Sequence, residues 1–373
     1  MSISQDKFCL GGLMKNNEKE SNINDLDSKD ETEFKSSIEQ KFSSQDSDFS
    51  SFSSNLFSPA LELCNPSYFS LNNILMTFKD QKLTKELQKN LLYATQETIN
   101  NILKELSGSF RTIIKNKNGN YFCTDLLKVC NKEQRLIILK ELSINLSEDC
   151  IDDFATYPIQ KLIELSSSEE EYKLLLFSFN DLQKILIAAM NQNGTFVIQK
   201  LIVYIPEKSR IEFNFLFVKL FCILSRDMYG VCAVKKFIGY SKDELILKEV
   251  LNSLITNFVN ISENQYGNYL IQYLLEKWWK TNEGEYIKSI IISKFQILSK
   301  NQYSCYICHL FLRLCSIEEK KLLFSSLNNN KFYGKNNNFK NKTSLKQNTC
   351  SKTIEEKNLL KFNKFDNYNN NTK

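Results

Sequence analysis

Asparagine, glutamine and tyrosine stand at a fixed spacing in the segment Asn264-Gln-Tyr-Gly-Asn-Tyr-Leu-Ile-Gln272, and this spacing recurs along the chain. We number each copy from the residue after its small residue, here Asn268, and call that residue the marker. The markers are Thr84, Asn120, Thr156, Thr195, Val231, Asn268 and Cys305. Four places after them stand Gln88, Thr124, Gln160, Gln199, Lys235, Gln272 and His309. Directly after them stand Lys85, Tyr121, Tyr157, Phe196, Cys232, Tyr269 and Tyr306.

These three positions could recognise an unpaired nucleic-acid base. The marker and the residue four places later lie one turn apart on the same face of a helix. An amide presents a donor and an acceptor together, as a base edge does, and any base can stack on a ring for about 1–3 kcal/mol. Five of the seven residues that follow a marker are aromatic. The pattern therefore predicts a row of base-sized sites.

The elements that position these residues are helices. Aspartate or asparagine, which cap helix N-termini, stands four places before every marker: Asp80, Asn116, Asp152, Asn191, Asp227, Asn264 and Asn301. Apolar residues stand three and seven places after every marker, on one helix face. The ring after the marker lies about 200° from the first of these at ~100° per residue, which favours a recognition surface over the alternative, a ring in the core.

A period of 36 to 39 residues is typical of a solenoid, in which each unit buries its apolar face only against its neighbours. We predict an all-α array with a capped reading helix, a second amphipathic helix and a short third helix, for example Ile287 to Phe295, in each unit. The predicted reading helices lie near 80–91, 116–127, 152–163, 191–202, 227–238, 264–275 and 301–312.

Three regions differ in composition. Residues 1–55 form an acidic Ser/Asn-rich arm that we predict to be disordered, since it cannot bury enough apolar surface. Residues 56–327 contain the repeats. Residues 328–373 form an Asn/Lys-rich basic tail, which we also predict to be disordered. Net charge is −6 over residues 1–75, +4 over 76–327 and +7 over 328–373, and the mildly basic repeat region is compatible with a polyanion partner.

The chain's 11 cysteines lack the regular spacing of a disulfide framework. Neither a signal segment nor a run of 18 apolar residues is visible. We therefore expect reduced thiols, a cytoplasmic location and no membrane partner.

The segments around Asn268, Asn191–Gln199 and Asp80–Gln88 resemble the base-reading helix of the Pumilio or PUF family of RNA-binding proteins, and the resemblance covers about residues 70 to 327. It implies a right-handed α-solenoid of three-helix PUF-type repeats that form a crescent. In that family each repeat reads one base of single-stranded RNA, which runs antiparallel to the protein.

The resemblance also implies roles for single residues. Asn268 and Gln272 match the pair that reads uracil, with Tyr269 stacking, whereas Asn120 and Tyr121 are half of that pattern because Thr124 stands where glutamine is expected. The pairs Thr156/Gln160, Thr195/Gln199 and Thr84/Gln88 resemble the class that accepts adenine. The expected stacking residues are Lys85, Tyr121, Tyr157, Phe196, Tyr269 and Tyr306.

Several positions depart from the family pattern. Val231, Cys232 and Lys235 cannot form the amide contact, so this unit touches the backbone or skips a base. Cys305 and His309 replace the Ser and Glu that read guanine. Pro158 is expected to kink its helix, and no eighth unit is visible. These departures predict relaxed specificity or a shorter target.

The sequence gives little support to a haem site, a zinc site or an enzyme active site. Cys305-Tyr-Ile-Cys-His309 matches the haem attachment pattern C-x-x-C-H, but it lies in phase with the repeat and has no second C-x-x-C to complete a zinc site. His309 is the only histidine, and no phosphate loop or nucleophile elbow occurs. We expect no enzyme, no metal and no cofactor.

The predicted function is sequence-selective binding of single-stranded mRNA in 3′ untranslated regions by a monomer that regulates translation or decay, with co-repressors or decay factors as protein partners. The regulatory outcome comes from the resemblance. Two alternatives stay open. One is a PUF-like ribosome-assembly factor, nucleolar, that grips RNA without strong base specificity. The other is an armadillo- or HEAT-like scaffold that binds protein.

Overall fold

The computed structural model describes residues 70–321 and 323–325, and every regular element in these ranges is helical. The predicted arm, 1–55, and the predicted tail, 328–373, lie outside the described residues. The helices of the first three units are α1 (Leu71–Thr77), α2 (Gln81–Leu91), α3 (Gln96–Leu106), α4 (Phe110–Ile114), α5 (Gly119–Val129), α6 (Lys132–Leu142), α7 (Leu146–Asp149), α8 (Thr156–Leu165), α9 (Glu169–Phe177) and α10 (Leu182–Ala189). They are followed by α11 (Gly194–Tyr204), a 3₁₀ turn (Glu207–Ser209), α12 (Ile211–Leu224), α13 (Gly230–Tyr240), α14 (Glu244–Ser262), α15 (Gly267–Lys277), α16 (Asn282–Leu298) and α17 (Cys305–Leu314), and residues 317–321 and 323–325 are also helical.

Each of the seven markers lies on a helix of its own: α2, α5, α8, α11, α13, α15 and α17. Each of these helices contacts the next in order, from α2 to α17, so the units stack as a solenoid. In units two to seven the helix begins only at the marker or the residue before it, because a turn separates the capping residue from the first helical residue.

The predicted N-cap role is confirmed for Asp80, whereas in units two to seven the equivalent Asp or Asn lies two or three residues before the N-cap residue and closes the turn that leads into the helix. The Asn264 side-chain oxygen accepts bonds from the backbone N–H groups of Tyr266 (2.9 Å) and Gly267 (3.0 Å). The equivalent side chains of the other six units accept in the same way from the second and third residues after them. A recurrent side chain thus starts every reading helix at the same phase.

In units two to seven, the small residue before the marker lets the reading helix approach the preceding helix. A Cβ atom on Gly267 would lie 2.3 Å from the carbonyl oxygen of Ile261, and one on Gly194 would lie 2.4 Å from that of Ala188. In unit seven Ser304 occupies this position, and its hydroxyl donates to the Leu298 carbonyl oxygen at 2.7 Å. The close approach fixes the start of the reading helix against the end of the preceding helix.

The third helix of each unit is not always separate. In units five and six the second and third helices are one helix each, α14 and α16, and the predicted short helix Ile287–Phe295 lies inside α16. That prediction is wrong because Ile287, Ile291, Phe295 and Leu298 continue one buried face with no break in the backbone. In unit one, by contrast, Gly108 at φ +79° separates α3 from α4.

Pro158 does not interrupt its helix. The prediction assumed a helix from 152, but α8 begins at Thr156, so Pro158 is its third residue. The first N–H groups of a helix have no intrahelical acceptor, and proline is tolerated in the first turn for this reason. The helix continues to Leu165 and holds Ile159 and Ile163 in the core.

Candidate nucleic-acid interface

One continuous surface runs along the row of reading helices. It consists of the residues one, four, five and eight places after each marker, and we call it the reading surface. These residues are exposed or half-buried in all seven units, with Leu310 the buried exception. The residues three and seven places after the marker form the opposite, core-facing side of each helix; in unit six, Ile271 and Leu275 are fully buried.

The aromatic rings predicted to stack on bases lie on this surface. Tyr121, Tyr157, Tyr269 and Tyr306 are each 43–48% exposed, and Phe196 is half-buried. Burial, and to a smaller extent Tyr157 of the next unit, raise the pKa of Tyr121. The rings are therefore not packed away between units, as a purely structural role would require.

The glutamines of three units share one orientation. The Gln272 Nε2 donates to the Asn268 Oδ1 at 2.9 Å, and Gln160 and Gln199 donate likewise to the hydroxyls of their markers at 3.0 and 3.3 Å. Each glutamine keeps its carbonyl oxygen and a second N–H for another partner. This pair can meet the donor and acceptor of a base edge.

The polar markers are more buried than the glutamines, with exposed fractions of 1–3% for Thr84, Asn120, Thr156, Thr195 and Asn268. Their donors are already bonded to backbone carbonyls: the Asn268 Nδ2 donates to Asn264 (3.1 Å) and Gln265 (2.9 Å), and the Thr195 hydroxyl donates to Tyr229 (3.1 Å). The structure shows the markers orienting the side chain one turn later. Direct contact between a marker and a base stays a prediction.

Units one, two and seven deviate from this arrangement. Gln88 donates to Asp125 of the next unit and not to its own marker. The Thr124 hydroxyl donates to the Asn120 carbonyl oxygen at 2.8 Å, so only its lone pairs face a ligand. Exposed His309 packs edge-on beside Tyr306, with centroids 6.4 Å apart, and partial burial lowers its pKa. The chemistry differs from unit to unit, as a sequence-selective row requires.

Unit five has neither an amide nor an aromatic side chain at its marker or at the positions one and four places after it. Val231 is buried, Cys232 is exposed, and Lys235 is half-buried, with its ammonium 5.6 Å from the ring centroid of Tyr273 in unit six. None of these three side chains is an amide, and that this unit touches the RNA backbone or skips a base stays a prediction.

Sequence reasoning missed the positions five and eight places after the marker. Lysine stands five places after it in four units, as Lys89, Lys161, Lys200 and Lys236. The same spacing that identified the rings could have identified these lysines. Eight basic and three acidic residues occupy the reading surface, against a net charge of +4 for residues 76–327, so the positive charge is concentrated there.

One carboxylate on the reading surface forms ion pairs with lysines of two neighbouring units. Glu164 of unit three bonds Lys161 of its own helix and Lys200 of unit four, the latter at 2.7 Å. Burial opposes ionisation of Glu164, but the two lysines together hold its pKa below the ordinary value. The Glu164 carboxylate thereby links two neighbouring reading helices.

The Cys-x-x-Cys-His segment places its cysteines differently. Cys308 is 1% exposed in the core, and burial raises its pKa to about 12. Within 70–321 and 323–325, no three His, Cys, Asp or Glu side chains are grouped to hold a metal. No helix in those ranges is long and apolar enough to span a bilayer.

Comparison with known proteins agrees with this geometry. The family model described as "Pumilio-family RNA binding repeat" matches residues 109–143, 188–212, 257–278 and 295–327, which contain the markers of units two, four, six and seven. Pumilio homolog 12 of Arabidopsis thaliana is 27% identical over 212 residues, 55% of this chain and 35% of that protein. Suppressor protein MPT5 of Saccharomyces cerevisiae is 26% identical over 210 residues, 53% of this chain and 24% of that protein. The matched region therefore spans about a third or less of these relatives.

Solved structures show the same fold. The Puf4 RNA binding domain bound to an HO endonuclease RNA 3′ UTR recognition sequence superposes with a TM-score of 0.63 at 20% identity, covering 70% of this chain and 80% of that one. PUF-8 in complex with PBE-RNA gives a TM-score of 0.59 at 19% identity, covering 71% and 76%. The chain thus contains four segments that match the Pumilio-family RNA binding repeat, in phase with the reading surface, and it shares the solenoid fold of these Puf domains.

Proposed function

We propose that this protein binds single-stranded messenger RNA sequence-selectively through the reading surface, in 3′ untranslated regions, and thereby regulates translation or decay. The observation that carries the proposal is the row of exposed rings in phase with half-buried amides on consecutive reading helices. Rings of this kind need unpaired bases, since the faces of paired bases are covered by their neighbours in a duplex.

The chemistry supports reading at the level of single bases. In unit six, Tyr269 offers a stacking face and Gln272 offers an acceptor and a donor one turn away, held by the bond from Gln272 to Asn268. A uracil edge presents one N–H between two carbonyl oxygens, which complements such an amide. Preorganisation by the marker reduces the entropy lost when the base binds.

The target class of the proposal is taken from a solved structural neighbour. The Puf4 domain was solved with a 3′ UTR recognition sequence, and we extend that target class to this chain. Regulation requires further factors, so the proposal includes protein co-repressors or decay factors and a cytoplasmic location.

Selection from a randomised single-stranded RNA pool by the full chain tests the proposal. We expect enrichment of a motif with uracil at the position that pairs with unit six. Asn268→Ala combined with Gln272→Ala should weaken binding to that motif by about 5- to 150-fold, from the ~1–3 kcal/mol of an amide–base pair, and should have little effect on RNAs in which that uracil is replaced. Gln296→Ala, at an exposed glutamine on α16, is the control.

Titration with salt separates the alternatives. Binding that is indifferent to sequence and falls steeply with salt would indicate a backbone grip, as in the ribosome-assembly alternative. An equal loss on all RNAs in the double variant would contradict base reading by unit six. A folded chain that binds no RNA would instead favour the other alternative, an armadillo- or HEAT-like scaffold that binds protein.

A further inference from the structure

Unit five interrupts the base-reading chemistry in the middle of the reading surface. The residue after its marker is Cys232, where units four and six have Phe196 and Tyr269. The residue four places after its marker is Lys235, where those units have glutamine. With buried Val231 as marker, the unit has no ring to stack on and no amide to pair with a base edge.

A cluster of uncompensated positive charge takes the place of this chemistry. The ammonium groups of Lys235 and Lys277 lie 5.6 and 5.7 Å from the centroid of the same ring, Tyr273 of unit six. Lys236 follows Lys235 directly. In the part of the chain that the structure describes, no carboxylate forms an ion pair with these three lysines, whereas Glu164 pairs with two lysines of units three and four.

This geometry suits a phosphate better than a base. Lysine is a compact charge with three donors and no acceptor, so it cannot match the mixed edge of uracil or adenine. The electron-rich face of Tyr273 restrains both ammonium groups without neutralising them. A phosphodiester oxygen that approaches Tyr273 would meet two cations that no carboxylate of the described residues neutralises.

We propose that unit five reads no base and that Lys235 and Lys277, restrained by Tyr273, bind a phosphate of the RNA backbone. The target then consists of two read segments on either side of one nucleotide whose base is not selected. This inference rests on the proposed RNA binding and defines which position of the target is degenerate.

The first test is the base preference at the position between those of units four and six. Selection by the full chain should give all four bases at similar frequency there, with clear preferences on both sides. A preference for guanine, which lysine can produce by donating to O6 and N7, would overturn the proposal. Absence of any RNA binding would instead overturn the proposed function itself.

The second test separates phosphate binding from base binding. Lys235→Met with Lys277→Met removes both charges without adding an amide and should weaken binding by the same factor for RNAs that differ only at the degenerate position. The slope of log affinity against log salt should become shallower by about 0.7 for each phosphate that the variant no longer neutralises. Lys248→Met, at an exposed lysine on α14 outside the reading surface, should leave the slope unchanged. An unchanged slope in the double variant would overturn the phosphate site.

The third test introduces base-reading side chains into unit five. Val231→Asn with Cys232→Tyr and Lys235→Gln reproduces in unit five the asparagine, tyrosine and glutamine of unit six. The variant should gain a uracil preference at the degenerate position while the rest of the motif is kept. Cys232→Tyr with Lys235→Gln, which leaves the buried valine in place, serves if the triple variant does not fold. A folded variant that acquires no preference would show that unit five does not face that nucleotide.

Discussion

The glycine before the marker of unit six, Gly267, leads to a specific prediction about the stability of the fold. A Cβ on Gly267 would lie 2.3 Å from the carbonyl oxygen of Ile261 and 2.9 Å from that residue's Cγ2. Both distances are well inside van der Waals contact, and the closer atom is backbone, which cannot rotate away. Gly267→Ala therefore forces α15 away from the end of α14, at a cost of about 1–3 kcal/mol for an overpacked site.

Gly239→Ala is the matched control. Gly239 lies in α13, and a Cβ atom added to it would have one described neighbour within 4 Å, the Tyr273 hydroxyl oxygen at 3.8 Å. The same substitution should here raise the free energy of unfolding by about 0.4–1 kcal/mol, since alanine restricts the unfolded chain and tolerates the helical backbone. The two variants thus differ from the parent by one methyl group each but are expected to change stability in opposite directions.

Urea unfolding followed by circular dichroism, with both variants beside the parent chain, measures the difference. The midpoint should fall for Gly267→Ala and rise for Gly239→Ala. If Gly267→Ala left the midpoint unchanged, the close approach of α15 to α14 would not constrain the fold, and the account of the small residue before each marker would be wrong.

Three further predictions follow from single contacts. Arg135→Met should lower the free energy of unfolding by about 3 kcal/mol in urea titrations, because it leaves the fully buried Glu171 carboxylate without its cation. Tyr269→Ala should weaken RNA binding by about 5- to 150-fold in filter-binding assays, whichever base stacks on the ring, with little change in melting temperature since the ring is 44% exposed. Exposed Cys232 should react with maleimide at neutral pH much faster than Cys123, as mapped by mass spectrometry, because burial raises the pKa of Cys123 and excludes reagent.

Much of the interface could be predicted from the sequence because it depends on local geometry. The capping residues, such as Asn264, start each reading helix at a constant phase. Apolar residues at offsets of three and seven then determine which face is buried. Tyr269 lies on a different face of the same helix, so its exposure follows from helical periodicity alone. The number of units and their order follow from the repeat itself.

Other features depend on the distance and the angle between consecutive units. The periodicity of residues within one helix carries no information about either quantity. The bond from Gln88 to Asp125, the bridge from Glu164 to Lys200 and the approach of Lys235 to Tyr273 all join different units. The burial of Asn268 is likewise set by packing around it, and not by its place in the motif.

The sequence alone determined that this chain is a helical repeat array whose units present amides and rings in phase. Only the tertiary structure decided that the markers orient the glutamines and that unit five presents lysines around a tyrosine of its neighbour. The physical reason is that helix phase is encoded within about a dozen residues, whereas contacts between units arise from side chains about 40 residues apart that meet only when the solenoid stacks.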